Sequence, residues 1–94
     1  EMEIGDPNPD RPTWRTGSIY PFHASVAANT KAAGAWNDYE IVCRGHDYSV
    51  RMNGRLVSAW TDTTARSAQG FIGLQNYDDG KTVRHRSLRL KELP

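Results

Sequence analysis

The sequence predicts an all-β domain, an antiparallel β-sandwich or jelly roll, and three observations carry that prediction. From residue 37 onward apolar and polar residues alternate with period two, the spacing of a strand covered on one face. The alternating runs are broken by Gly, Asn and Asp. The clearest break is Asn53-Gly54, which suits a type I′ hairpin turn because both central residues there need φ > 0. No segment carries the apolar stripe of a helix longer than about two turns. Roughly seven short strands separated by such turns fit two packed sheets.

Each element follows in order. Glu1-Met2-Glu3-Ile4 reads as a strand, and a chain that opens inside a strand is expected to be a piece of something longer. Residues 6–15 hold Pro7, Pro9 and Pro12 and read as loop. Residues 17–23 read as a strand that Pro21 confines to an edge or a bulge. Residues 24–35 are Ala-rich without a stripe and read as loop with one helical turn at most. A meander follows. Tyr39, Ile41 and Cys43 share one face of its first strand, so Cys43 is expected to be a buried thiol without chemistry. Gly45-His46 breaks the run, Tyr48, Val50 and Met52 share a face of the second strand, and residues 55–60 return with Trp60 in the phase of Leu56 and Ser58. Beyond a polar loop, residues 70–76 and 82–93 read as strands around the Asp78-Asp79-Gly80 turn, the second with a bulge between Val83 and Leu88.

Composition bounds the function. With 94 residues the chain is one domain at most, with one thin core. Charged residues at 24% and a net charge of +1 exclude a disordered or nucleic-acid tail. Arg84, Arg86, Arg89 and Lys91 are offset by Glu1, Glu3, Asp6 and Asp10, and no aromatic interleaves them, so no nucleic-acid partner is expected. No apolar run reaches the ~18 residues of a membrane span. Cys43 is the sole cysteine, so no internal disulfide and no zinc cluster is expected. Asp78-Asp79-Gly80 falls well short of the ~6–8 oxygens of a calcium cage, so neither metal nor cofactor is expected.

Several motifs fall in a recognisable order. Trp36-Asn37-Asp38-Tyr39-Glu40-Ile41, the Asn53-Gly54 turn, Gly70-Phe71-Ile72-Gly73-Leu74-Gln75 and Arg86-Ser87-Leu88-Arg89-Leu90-Lys91-Glu92-Leu93 together resemble the 3-keto-disaccharide hydrolase family. Glu1-Met2-Glu3-Ile4-Gly5-Asp6 resembles its Glu-x-Gln-Ile-x-Asp strand, with Glu3 in place of the usual Gln, and Thr16-Gly17-Ser18-Ile19-Tyr20 its Thr-Gly-Ala-Leu-Tyr strand. The resemblance implies a concanavalin A-like, laminin-G-like jelly roll, of which residues 1–94 are a single domain or the C-terminal half. Half a jelly roll would leave apolar sheet uncovered, so dimerisation or strand exchange is expected. The family further implies a bacterial, exported protein, periplasmic or extracellular, acting on sugars oxidised at C3. A C3 ketone acidifies the C2 proton, so a base can remove it and the enolate can expel the C1 substituent. That route needs a base, an acid for the leaving oxygen and donors for the enolate oxygen.

The candidate residues stand beside plainer readings. Glu1 and Glu3 share a strand face, which is either solvated or lines a groove; the resemblance places that strand in a concave sugar cleft and makes Glu1 a catalytic candidate, with Glu3 and Asp6 beside it for substrate binding. Ser18 and Tyr20 share the next face, where Tyr20 either packs or stacks on a sugar. His23 ends that strand, an exposed loop residue or a base suited to neutral pH. Trp14, in the Pro-rich loop beside Arg15, is either structural or a sugar-stacking platform, while Trp36 and Trp60 read as sandwich rim or core. Gln75, Asn76 and Tyr77 end a strand where ligand contacts and turn capping compete. Arg84 and Arg86 either hold a sugar oxygen or guard an edge against aggregation. Beside a hydrolase or lyase for 3-keto-glycosides stand two other readings, a carbohydrate-binding module without a positioned base and an interaction sandwich without a small ligand.

Overall fold

A computed structural model describes residues 1–5, 9–27, 29–64, 66, 69–75 and 80–94. Its regular structure is one antiparallel sheet of three strands, β1 (Tyr39–Arg44), β2 (Asp47–Met52) and β3 (Arg55–Thr61), in the order β1-β2-β3. The only helical element among the described residues is a 3₁₀ turn at Pro12–Trp14, so the all-β expectation holds. Among the described residues no helix is long and apolar enough to cross a membrane.

The turns follow from their residues. Gly45 has φ +61 between β1 and β2, the positive angle that a type II′ turn requires at its first central residue. Asn53 (φ +50) and Gly54 (φ +82) both lie in the positive region between β2 and β3, the predicted type I′ pattern. Asn53 also ties the turn to the chain before it. Its side chain donates to the Asn29 carbonyl (2.7 Å) and to Asn37 Oδ1 (3.0 Å), and accepts from the Asp38 N–H (2.9 Å).

The core sits on one face of β2 and β3. Val50, Met52 and Val57 are each 1% exposed and pack with Ile19 against Met2, Tyr39, Tyr48 and Trp60. The register shifts at Val50/Arg51, which puts Val57 and Ser58 both inside and leaves Leu56 exposed. The predicted Leu56–Ser58–Trp60 phase is therefore broken by a bulge, because an extra residue on one strand inverts the side-chain parity beyond it.

The cover over this face is irregular chain. Residues 17–23 were expected as a strand but make only two isolated bridges, Met2 with Ile19 and Ile19 with His23. Ile19 and His23 exchange both backbone hydrogen bonds (2.8 and 2.9 Å), which closes the chain into a tight reversal around Pro21. Proline has no N–H to extend a ladder. The close approach falls at Gly17, whose φ is +89; a Cβ there would lie 2.7 Å from Val57 Cγ2.

Buried polar groups clamp the cover to the sheet. Ser58 Oγ donates to the Gly17 carbonyl (2.7 Å), and Ser18 Oγ donates to the Pro12 carbonyl (3.1 Å) while accepting from the Ser25 N–H (2.9 Å). Arg15 donates from Nε to Ser25 Oγ (2.9 Å) and from Nη2 to the Ser25 carbonyl. No buried side-chain polar atom among the described residues lacks a partner.

Three expectations fail on the other side of the molecule. Residues 70–75 and 82–93 form no strand, and Phe71 is fully exposed at 105%. Their apolar alternation finds no neighbouring strand among the described residues, and a strand without a ladder leaves its peptide groups to water. Cys43 is exposed rather than buried, because on this face of β1 the packing reaches Tyr39 but does not extend to Ile41 and Cys43.

Candidate functional site

The opening segment is positioned by the reversal it borders. Glu3 N–H donates to the Ser18 carbonyl (2.9 Å), Gly17 N–H to the Glu3 carbonyl (3.0 Å) and Tyr20 N–H to the Glu1 carbonyl (2.8 Å). Met2 and Ile19 bridge and turn inward, so Glu1 and Glu3 share the opposite side with Ser18 and Tyr20. The predicted parity is therefore present. That side is not uniformly open, however: Ser18 is fully buried beneath Pro12 and Ser25, and the opening lies toward exposed Glu1 and half-buried Tyr20.

Gly5 brings Glu3 and Trp14 to one place. A Cβ at Gly5 would lie 2.5 Å from the Trp14 carbonyl oxygen and 3.3 Å from Glu3 Oε1. The Thr16 hydroxyl holds the same loop, accepting from the Gly5 N–H (3.0 Å) and donating to its carbonyl (2.8 Å). Trp14 is itself exposed, with the Arg11 guanidinium 4.5 Å from its ring centre. Burial, and after it the negative charge of Glu1, push the Glu3 carboxyl above its ordinary value. His23 stands half-buried at the far side of the reversal. Asp6 lies outside the described residues.

The remaining candidates gather elsewhere. Gln75 lines a shallow groove with Leu74, Lys81, Thr82, Val83 and His85. The Arg86 guanidinium lies 3.9 Å over the Trp36 ring, and His85 Nδ1 is 3.5 Å from Tyr39 OH. Arg86 thus stacks on Trp36, which is exposed rather than buried in a core. Asn76, Tyr77 and the Asp78-Asp79 pair lie outside the described residues. Among the described residues no three His, Cys, Asp or Glu side chains come together as metal ligands would.

The model of the 3-keto-alpha-glucoside-1,2-lyase-like domain matches residues 1–91. The chain belongs to that family. No curated protein and no solved structure matches it. Family membership sets a carbohydrate-related frame for the two clusters of residues just described.

The sequence treated Glu3 only as a binding residue and gave no sign that burial and the Glu1 charge push its carboxyl above its ordinary value. Strand parity paired it with Glu1 but said nothing of Gly5, which lies beside both its Oε1 and the Trp14 carbonyl. It also missed a ring ladder at the end of β3. Trp60 stacks between Phe22 (5.2 Å, 7°) and Tyr48 (6.0 Å, 27°), and the Arg66 guanidinium covers Phe22 at 3.8 Å. Its one sequence signal is the i, i+4 pair Asp62 and Arg66, joined at 3.4 Å.

Proposed function

We propose that this lyase-like domain carries one wall of a site that cleaves 3-keto-glycosides by elimination across C1 and C2. Glu1, exposed at the opening, takes the C2 proton. The electron pair passes through the enolate stabilised by the C3 ketone and expels the C1 oxygen. Glu3 returns a proton to that leaving oxygen, so the products are a 1,2-unsaturated 3-ketose and a free alcohol. The observation that carries this reading is Glu3. A carboxyl half-buried beside a second carboxylate, with its affinity for a proton raised by both causes, is suited to the acid role. Half-buried Tyr20 and exposed Trp14 offer apolar surfaces for a sugar ring, and His23 is the alternative base. Gln75 and Arg86 supply donors for sugar hydroxyls from the second cluster. The same reading places the protein outside the cytoplasm of a bacterium, in the periplasm or beyond it.

The test is a cleavage assay with a 3-keto-glucoside across pH. A general acid must be protonated, so turnover should fall as pH rises through the raised Glu3 value, and Glu3→Gln should remove that limb. Glu1→Gln should cut turnover about ten- to a hundredfold if it only holds substrate, and far more if it is the base. A Glu1→Gln, Tyr20→Phe double variant with unchanged turnover would move the chemistry away from this wall. Binding of the sugar without cleavage would favour a carbohydrate-binding module on the same residues.

A further inference from the structure

The outer edge of β1 is where backbone, apolar and charge observations coincide. β1 pairs with β2 alone, and no strand among the described residues lies along its other side. The two-residue turn makes Arg44 and Asp47 the hydrogen-bonded closing pair of this hairpin. The ladder alternates from there. Glu40, Val42 and Arg44 direct their peptide groups to β2, while Tyr39, Ile41 and Cys43 direct theirs outward. The Asn53 N–H bond to the Asp38 carbonyl (2.8 Å) continues the same alternation. On the face that carries buried Val50 and Met52, Ile41 is 45% exposed and Cys43 is exposed. On the other face Glu40 and Arg44 are exposed, and neither makes an ion pair or side-chain hydrogen bond among the described residues.

We propose that this edge is a self-association surface: two copies join β1 to β1 antiparallel about a twofold axis and form one continuous sheet. Parity limits the register. Residues that face each other must be both odd or both even, or the core-type face of one copy would meet the outer face of the other. Placing Val42 on the axis sets Glu40 opposite Arg44 of the second copy, twice by symmetry, and Ile41 opposite its Cys43. The charged pairs then occupy non-hydrogen-bonded positions, where facing side chains come closest. The neighbouring register, with Ile41 on the axis, sets Glu40 against Val42 and is disfavoured. The outward peptide groups of Ile41 and Cys43 bond each other across the axis, and their side chains extend the apolar face from one copy to the next.

Charge reversal tests this, read by sedimentation of the full chain over a range of concentrations. The wild type should dimerise. Glu40→Arg or Arg44→Glu alone should weaken the dimer about tenfold, because each turns two attractive pairs into two repulsive ones. The double reversal should return the affinity to within about threefold. Circular dichroism of each variant separates lost association from lost folding. A monomer at every concentration, or a double reversal no tighter than the singles, would overturn the proposal. Val42→Cys in a Cys43→Ser background should crosslink two chains under oxidised glutathione, since facing Cα atoms at that position are about 4.5 Å apart. If Ile41→Cys crosslinks in its place, the register and its charge pairing are wrong.

Discussion

Two halves of this molecule carry the same kind of sequence and adopt different states. Val50, Met52 and Val57 alternate with polar residues and are 1% exposed. Phe71, Ile72, Leu74, Val83, Leu88 and Leu90 also stand among polar residues, and all are exposed. The first set has two things the second lacks: a place in a hydrogen-bonded sheet, with β2 paired on both sides and β3 paired to β2, and packing against Ile19 of the irregular chain that covers it. Period-two hydrophobicity thus encodes readiness to be a strand, while pairing and cover decide whether the strand forms. β1 stands between the two states, paired on one edge and, among the described residues, without a strand along the other.

The largest effect that would break this contrast is expected at the seam of cover and sheet. Gly17→Ala adds a methyl group 2.7 Å from Val57 Cγ2 at a φ of +89. Strain in that backbone region and overpacking together should cost about 2–5 kcal/mol, a large share of the stability of a domain this small. Gly34→Ala is the control. Its φ is +93, but a Cβ there meets nothing within 4 Å, so it should cost only about 1 kcal/mol. Urea unfolding of both variants measures the difference. Equal losses would mean that the cover does not press on the sheet.

The meander was legible because its signals are local. Asn53-Gly54 demands positive φ at both residues, and the alternation on either side fixes which face is buried. The family was legible from motif order, and the Glu1–Glu3 and Ser18–Tyr20 parity from strand period. What was not legible depends on distant chain. Nothing near Cys43 says that the packing on β1 stops at Tyr39. The serines that clamp the cover look in sequence like ordinary polar residues, and only the fold places Ser58 against the Gly17 carbonyl. The bulge at Val57 is equally invisible, since a single inserted residue leaves no compositional trace.

A smaller effect would sharpen the contrast at the end of β3, where order continues past the last strand. Asp62 is 2% exposed in its side chain. Its Oδ1 accepts from the Thr64 N–H (2.9 Å) and hydroxyl (2.6 Å). These two bonds, with the Arg66 charge as a lesser contribution, hold its carboxyl below the ordinary value of 3.8. A depressed folded value means that the contribution to stability is present above the ordinary value and is lost as pH falls below it. Melting temperature followed by circular dichroism from pH 6 to 2 should therefore drop below pH 3.8. Asp62→Asn removes the titration, so its profile should be flatter in that window. Parallel profiles would show that the turn opens without affecting the sheet.

The smallest effect is expected at Phe71, and its smallness is the informative result. A buried phenylalanine truncated to alanine costs about 3–5 kcal/mol, because its contacts are lost and a cavity is left behind. Phe71 has no contacts to lose: at 105% exposure its ring meets solvent on every side. Phe71→Ala should therefore change the unfolding free energy by no more than about 0.5 kcal/mol, as for an ordinary surface site. The two outcomes are several kcal/mol apart, well beyond the error of a denaturant titration. A loss above about 1 kcal/mol would mean that residues 70–75 dock as a strand in solution. The same variant, measured over a range of concentrations beside the sedimentation test of the proposed dimer, separates docking within one copy from docking between two. A cost confined to the dimer would place Phe71 in the interface. A cost at every concentration would place it in the copy's own core and erase the difference between the two halves.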